Sequence, residues 1–503
     1  MHPDAPRSGN DADVVHVLNR VTFGARAADL DRVDSIGVAA FLDAQLHPER
    51  IDDSAVAARL TAATAATIAP RAFAVDYYKP MVAARQELAA QERVAGAAPK
   101  PVSLRWHLLP IAAVTLPGGP RPMAIVQQPP VTPEEARFQY ANQRAFEALQ
   151  AEKLLRAVYS ERQLEEVLVD FWFNHFNVDA RKIEERPVTA AYEREVIRPH
   201  VLGRFRDLLG ATAKSPAMLF YLDNWMSAAP SAAKTGPPRG LNENYGRELL
   251  ELHTLGVDGG YSQRDVVEVA RCFTGWTMND PHDGLGFAFK PGMHDRGEKR
   301  VLGHKIRSGR GEEDGEQVLD TLARHPSTAR FIASKLVRRF VADVPPPRLV
   351  DRASKTFRKT DGDLREVMRT ILASPELRDR SVRRAKVKSP FEYVVSVLRA
   401  TGADVRDPRP FVNTIAALGE PLYQSQPPTG YPDSGRAWIN TGTLVARLNF
   451  ANALAANGLN AASTDRDRAE TELRRLLPDV EPAAPSAQVR LALLLGSPAF
   501  QLR

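Results

Sequence analysis

Acidic, amide and imidazole side chains crowd two segments of this sequence, and such groups move protons and hold metals. The denser segment is Asn242-Glu243-Asn244-Tyr245-Gly246-Arg247-Glu248-Leu249-Leu250-Glu251-Leu252-His253-Thr254-Leu255. At about 100° per residue on a helix, Asn244, Glu248, Glu251 and Leu255 fall within about 60° of one another. Tyr245, Leu249 and Leu252 make the neighbouring apolar stripe. Glu248 thus stands at the edge of an apolar face, where partial burial raises a carboxyl pKa and suits it to general acid or base work. A hard divalent cation would instead hold it ionised. Glu248, Glu243 and Glu251 are the candidate catalytic carboxylates, with Asn242, Asn244 and Arg247 as substrate contacts. The structural reading competes with this one. Glu243, Arg247 and Glu251 are spaced i, i+4, i+8, as in a surface ion-pair ladder.

The second segment, Phe171-Trp172-Phe173-Asn174-His175-Phe176-Asn177-Val178, sets one imidazole and two amides among aromatic rings. His175 there could act as a base or bind a metal. The commoner role of such a residue is a core histidine held by a backbone carbonyl. His175, Glu248 and His253 are the metal candidates, and a divalent ion is the cofactor that this donor set suits. His253 lies about 140° around the helix from Glu248, so the two cannot directly share a ligand. Trp172 and Trp276 are expected as substrate walls. Trp438 could line a sugar cleft, but five tryptophans in 503 residues do not argue for one.

Other chemistries lose weight. The sequence has no GxxxxGK[ST] loop, no GxGxxG after a strand and no GxSxG elbow. None of the 11 histidines has another three to five positions away, which removes the HExxH kind of zinc pair. The lone Cys272 rules out multi-thiolate zinc and four-cysteine iron–sulfur sites, and its helical context reads as a small buried hydrophobe. A net charge of +6, from 67 basic and 61 acidic residues, is too small for a nucleic-acid argument. The basic run Arg378, Arg380, Arg383, Arg384, Lys386 and Lys388 lacks interleaved aromatics and reads as a solvated face. No secretory signal and no apolar stretch of about 18 residues is visible, so a cytoplasmic location is expected.

The elements that must position these groups are helices. Hydrophobic residues at 44% and charged residues at 25% describe a folded globular chain. Asp13 opens a helix that Gly24 closes; Thr132-Pro133-Glu134-Glu135 caps another. Ser160 to Gln163 has the form of a capping box, and Ser262 to Asp265 starts a further helix. Later helices are predicted at 314–324, 327–342, 346–358, 363–373, 389–401, 441–457 and 484–495. Strand signals are scarce; the best pairs Phe287-Ala288-Phe289 with Arg300-Val301-Leu302 as one hairpin near 286–303. His294, Asp295 and Lys299 in between read as turn-forming polar residues. The expectation is an all-α, multi-helix array running as one continuous unit: an N-terminal helical region at 1–98, a proline-rich irregular arm at 99–133, and a main helical body at 134–503. The Ala228–Gly240 loop directly precedes the Asn242 helix, and Pro427 to Pro432 forms a rigid loop that could cover a cleft. Ser374-Pro375 and Ser497-Pro498 follow similar helix ends and share a capping device rather than a repeat.

Several segments taken together carry a family resemblance. They are Leu18-Asn19-Arg20-Val21-Thr22-Phe23-Gly24, the 171–178 and 242–257 segments, Gly260-Tyr261, Phe273-Thr274-Gly275-Trp276, His325-Pro326-Ser327-Thr328-Ala329-Arg330 and Ser497-Pro498-Ala499-Phe500. In this order they resemble the large bacterial family catalogued as domain of unknown function 1800, over nearly the whole chain. The resemblance implies a helical protein without an assigned activity. It also implies a neighbour from the uncharacterised family 1501, which resembles phosphatases and sulfatases. Many members look exported, and the missing leader departs from that pattern.

Two functions follow as expectations. One is an enzyme with a His, carboxylate and amide site, metal-assisted if a cofactor is used. The other is a non-catalytic partner that folds, delivers or holds the phosphatase/sulfatase-like neighbour. Nucleic-acid binding ranks below both.

Overall fold

Apolar residues recurring every three or four positions, bracketed by caps, fold most of this chain into helices. The computed structural model describes residues 10–64, 67–94, 132–182, 186–229, 240–279, 286–459 and 461–503. The proline-rich arm therefore lies almost wholly outside the described residues, as does most of the Ala228–Gly240 loop. The fold is all-α in class, with short two-stranded sheets. The helices that matter below are α1 (Asn10–Val21), α2 (Pro133–Tyr159), α3 (Gln163–His175), α4 (Glu243–Glu248), α5 (Gln263–Cys272), α6 (Glu313–Ala323), α7 (Pro326–Phe340), α8 (Pro390–Ala400), α9 (Thr441–Ala455) and α10 (Ala487–Gly496).

The caps explain the boundaries. Thr132 Oγ1 accepts from Glu135 N at 3.1 Å, and Ser262 forms a full capping box with Asp265. Ser374 and Ser497 cap the turns that follow them, through Leu377 N and Phe500 N. Ser160 behaves differently from its sequence pattern. Its hydroxyl donates to Asp53 Oδ2 at 2.9 Å, and α3 starts only at Gln163, with no side-chain cap. The Ser160 oxygen still accepts, but from Arg162 N at 3.0 Å rather than from Gln163 N as the capping box requires.

The strands also depart from expectation. Among the described residues there are three two-stranded antiparallel sheets. β1 (Trp276–Met278) pairs with β2 (Phe287–Phe289), β3 (Lys299–Val301) with β4 (His304–Ile306), and β5 (Asp404–Val405) with β6 (Ala462–Ser463). The two segments predicted to pair with each other each find a nearer partner. For β3 the reason is local: Leu302 and Gly303 both take positive φ, +48° and +80°, which makes a tight two-residue hairpin.

One apolar core extends from Val14 to Phe500 and joins the two ends of the chain. Phe23 meets Phe391 edge-on at 5.1 Å, and the buried Arg399 donates to Gly24 O, Val158 O and Asp29 Oδ2. Gly24 has φ +121°, and a Cβ there would stand 2.5 Å from Ser396 Cβ. The glycine thus lets the end of α1 lie directly on α8.

Candidate functional site

The Asn242 segment begins as its sequence suggests and then changes pitch. Asn242 Oδ1 caps Tyr245 N at 3.0 Å, α4 runs to Glu248, and Leu249–Thr254 continues as a π-helix. The wider turns, with Leu255 N bonded to Leu250 O, shift every later side chain from its α-helical angle. The ladder Glu243–Arg247–Glu251 is replaced by bonds to the neighbouring segment. Gln263 bridges Glu243 and Arg247 at 2.8 and 2.7 Å, and Tyr261 OH donates to Glu251 Oε2 at 2.8 Å. Glu248 is half-buried; burial, then the Glu251 charge, raise its pKa. Asn244 and Glu243 are exposed.

His175 turns away from these groups into the core. It is 2% exposed, with Nε2 placed 3.1 Å from His253 O, Phe176 edge-on at 4.6 Å and the His253 ring at 6.4 Å. Burial and then the Lys335 charge push its pKa well below the ordinary value, and the same two causes take His253 down to about 3. Burial thus disfavours the charged form of both imidazoles. Among the described residues, no three His, Cys, Asp or Glu side chains converge to hold a metal ion. His175, Glu248 and His253 therefore do not form the donor set that their types suggest. Trp172 and Trp276, expected as substrate walls, are fully buried core rings. α6 comes so close to Trp276 that a Cβ on Gly315 would lie 2.4 Å from the indole.

The polar convergence lies on another face of α3. Asp170, Phe173, Asn174 and then Asn177 project into a cavity of about 80 Å³. α2 contributes Lys153, α7 Arg339, the approach to α8 Lys386, α8 itself Glu392, and the loop after the Arg409–Ala417 helix Glu420, Tyr423 and Tyr431. Lys153 Nζ pairs with Asp170 at 2.8 Å and Glu193 at 3.8 Å, within 5.1 Å of the Tyr423 ring centre and 5.4 Å of that of Phe391. Burial works against its charge, but Asp170 and Glu193 outweigh it and raise the pKa. Tyr423 OH donates to Glu193 Oε2 at 2.8 Å. Glu420 Oε2 accepts from Phe391 N at 2.8 Å; burial, then the Asp170 charge, push its pKa up to about 8.

The Pro427 to Pro432 loop and the residues after it cover this cavity. Asn174 exchanges two hydrogen bonds with the Tyr431 backbone, at 2.9 and 2.7 Å, and Asn177 donates to Ser425 O and Pro427 O. Gly430, at φ +72°, leaves no room for a side chain: a Cβ would lie 2.4 Å from Asn174 O. The basic run is not wholly a solvated face either. Arg378 and Arg380 are exposed, but Lys386 and Lys388 are 2% and 3% exposed, because the last residues of the chain pack over them as a β-bridge.

A second polar group is structural in character. His294, Lys299 and Asp314 are buried together, with Asp314 Oδ2 at 3.1 Å from His294 Nε2 and 2.7 Å from Lys299 Nζ. These residues do more than shape the turn that the sequence suggests: they fasten the β2–β3 connection to α6. Cys272 is buried, and burial pushes its thiol pKa up.

A family model described as Protein of unknown function (DUF1800) matches residues 16–502. The chain belongs to the DUF1800 family. No curated protein and no solved structure matches it. In this DUF1800 chain the family-like segments serve different ends. The Leu18–Gly24 segment packs on α8, while the 171–178 segment divides between core (Trp172, His175) and cavity (Asn174, Asn177). Sequence reasoning missed Lys153, Glu420, Arg339 and Arg503 as cavity groups. The sequence offered little signal for them: Lys153 stands beside Leu154-Leu155 on α2 but is flanked by Glu152 and Arg156. Among the described residues no helix is long and apolar enough to cross a membrane.

Proposed function

We propose that this protein is an enzyme that transfers protons on a small polar substrate held in the cavity beneath the 425–438 loop. The observation that carries the reading is Glu420, a carboxyl buried in the cavity wall with its pKa pushed up to about 8. Such a group is protonated at neutral pH and can act as a general acid. Asp170, ion-paired with Lys153, supplies a carboxylate acceptor in the same cavity. Two carboxyl groups in unlike surroundings are the arrangement in which acid and base roles separate. The carboxylates Glu248, Glu243 and Glu251, and His175, do not line this cavity.

The test is a mass-spectrometric comparison of a bacterial metabolite extract incubated with wild type, Glu420→Gln or Glu248→Gln. Wild type should deplete at least one metabolite, with Glu420→Gln slower by roughly a hundredfold or more. Equal depletion by wild type and Glu420→Gln would refute the reading. A loss confined to Glu248→Gln would move the acid to α4.

A second reading, a non-catalytic partner for the phosphatase/sulfatase-like protein of family 1501, draws on one surface feature. Leu444, Val445 and Leu448 on α9, and Val489 and Leu493 on α10, are exposed on two helices that pack together. An exposed apolar group of this kind suits a protein contact. Separate elution of the two proteins at micromolar concentration would count against it.

A further inference from the structure

Four cationic side chains meet two carboxylates beside the cavity. Arg339 Nη2 and Arg503 Nη2 share Glu392 Oε1, at 2.7 and 3.0 Å. Lys386 pairs with Asp343. Arg20, fully buried, is close enough to feel the charges of Glu392, Arg339 and Asp343, yet its one hydrogen bond runs from Nη2 to Val382 O. Among the described residues, five guanidinium nitrogens in this group are buried without a hydrogen-bond partner: Arg20 Nε and Nη1, which stand outside the cavity lining, and Arg339 Nη1 and Arg503 Nε and Nη1, on side chains that line it.

Donors left in this state are costly, at about 1–3 kcal/mol each and more when charged. Asp170 and Asp433 also line the cavity but are paired with Lys153 and Lys335, which leaves Glu392 and Asp343 against the four cations and adds to that cost. The crowding also registers on Lys386, whose pKa burial and then Arg503 lower to about 8. Arg503 is only 6% exposed, and it lines the cavity with Arg339 and Lys386. The cavity, at about 80 Å³, exceeds the roughly 10–15 Å³ that one water needs on the same measure. Planar guanidinium forks and an ammonium are matched by an oxyanion, which takes paired N–H bonds and offsets the charge.

We infer that the cavity binds the oxyanion group of its substrate, a phosphate, sulfate or carboxylate, on Arg339, Arg503 and Lys386. This deepens the enzyme reading above and rests on the cavity being the working site. The substrate is then a small anion that also presents an atom to be protonated by Glu420.

The experiment titrates the full chain with inorganic phosphate, sulfate or acetate at constant ionic strength, by calorimetry. The arginine Nε resonances of ¹⁵N-labelled wild type are followed in parallel. At least one anion should bind saturably and shift arginine Nε signals, and Arg339→Gln should weaken it about tenfold or more. Arg206→Gln, which removes a surface pair with Glu316 and Asp320, should bind like wild type. If no anion binds folded wild type saturably, water satisfies these donors and the inference fails. Binding that leaves the arginine signals and the Arg339→Gln affinity unmoved would be an adventitious ion only, and the inference would fail there too. Absent anion binding with Glu420 titrating near 8 would overturn this inference alone. Anion binding with Glu420 titrating near its ordinary value would uphold it and overturn the acid role.

Discussion

Lys153 Nζ stands 2.8 Å from Asp170 Oδ1, joining α2 to α3 by an ion pair in the wall of the cavity. Lys153 is largely withdrawn from water, Asp170 is half-buried, and the buried Glu193 adds a second carboxylate at 3.8 Å. A pair in such surroundings is held by mutual compensation, so loss of one member leaves the other charge stranded.

Lys153→Met should therefore destabilise the protein by about 3–5 kcal/mol, more than its lost packing would explain. Urea unfolding at pH 7 measures this. A loss below about 1 kcal/mol would mean that water reaches Asp170 and Glu193 freely.

Glu420 gives a pH dependence of opposite sign to most carboxylates. Its proton leaves near 4.5 when unfolded and near 8 when folded. The stability it contributes is whole below pH 4.5 and falls by about 1.4 kcal/mol per unit as pH rises to 8. Glu420→Gln removes this slope, so the variant should gain on wild type across that window. Parallel stability curves for the two proteins would show an ordinary, hydrated carboxyl.

The buried histidines act on the acid side. Burial and then Arg20 lower His16 to about 4, and burial with Lys335 lowers His253 to about 3, both from 6.5. Unfolded chains take up these protons first, so stability is lost as pH falls below 6.5. The loss is about 1.4 kcal/mol per unit for each histidine until its folded pKa is reached. In the Glu420→Gln background, where the opposing carboxyl slope is absent, urea midpoints between pH 6.5 and 4.5 should fall accordingly. A flat profile over that range would contradict the burial of these rings.

Gly430→Ala tests the roof of the cavity. The new methyl would meet Asn174 O at a backbone angle that disfavours side chains, so the loop must lift. Expected are a stability loss of about 1–3 kcal/mol and weaker anion binding. Wild-type affinity in this variant would show that the loop does not shape the site.

Much of the local structure was legible in the sequence, because caps and apolar periodicity act over a few residues. Thr132, Ser262, Ser374 and Ser497 cap as their sequence contexts indicate, and the helices beginning near 314, 327, 389 and 441 fall within two residues of expectation. The helical class followed from the same local patterns, and the family from the resemblance of the ordered motif segments. The raised pKa of Glu248 also agrees with its place at the edge of an apolar stripe.

Tertiary structure decided which polar groups meet. Ser160 gave its hydroxyl to Asp53, the π-turns after Glu248 rotated Glu251 and His253 off their α-helical bearings, and α3 turned His175 inward while Asn174 faced the cavity. Periodicity says which face of a helix is polar, but not what stands opposite it. Lys153, Asp170, Arg339, Glu420 and Arg503 lie on five separate stretches of chain, and only the packing of α2, α3, α7 and α8 brings their charges within reach of one another.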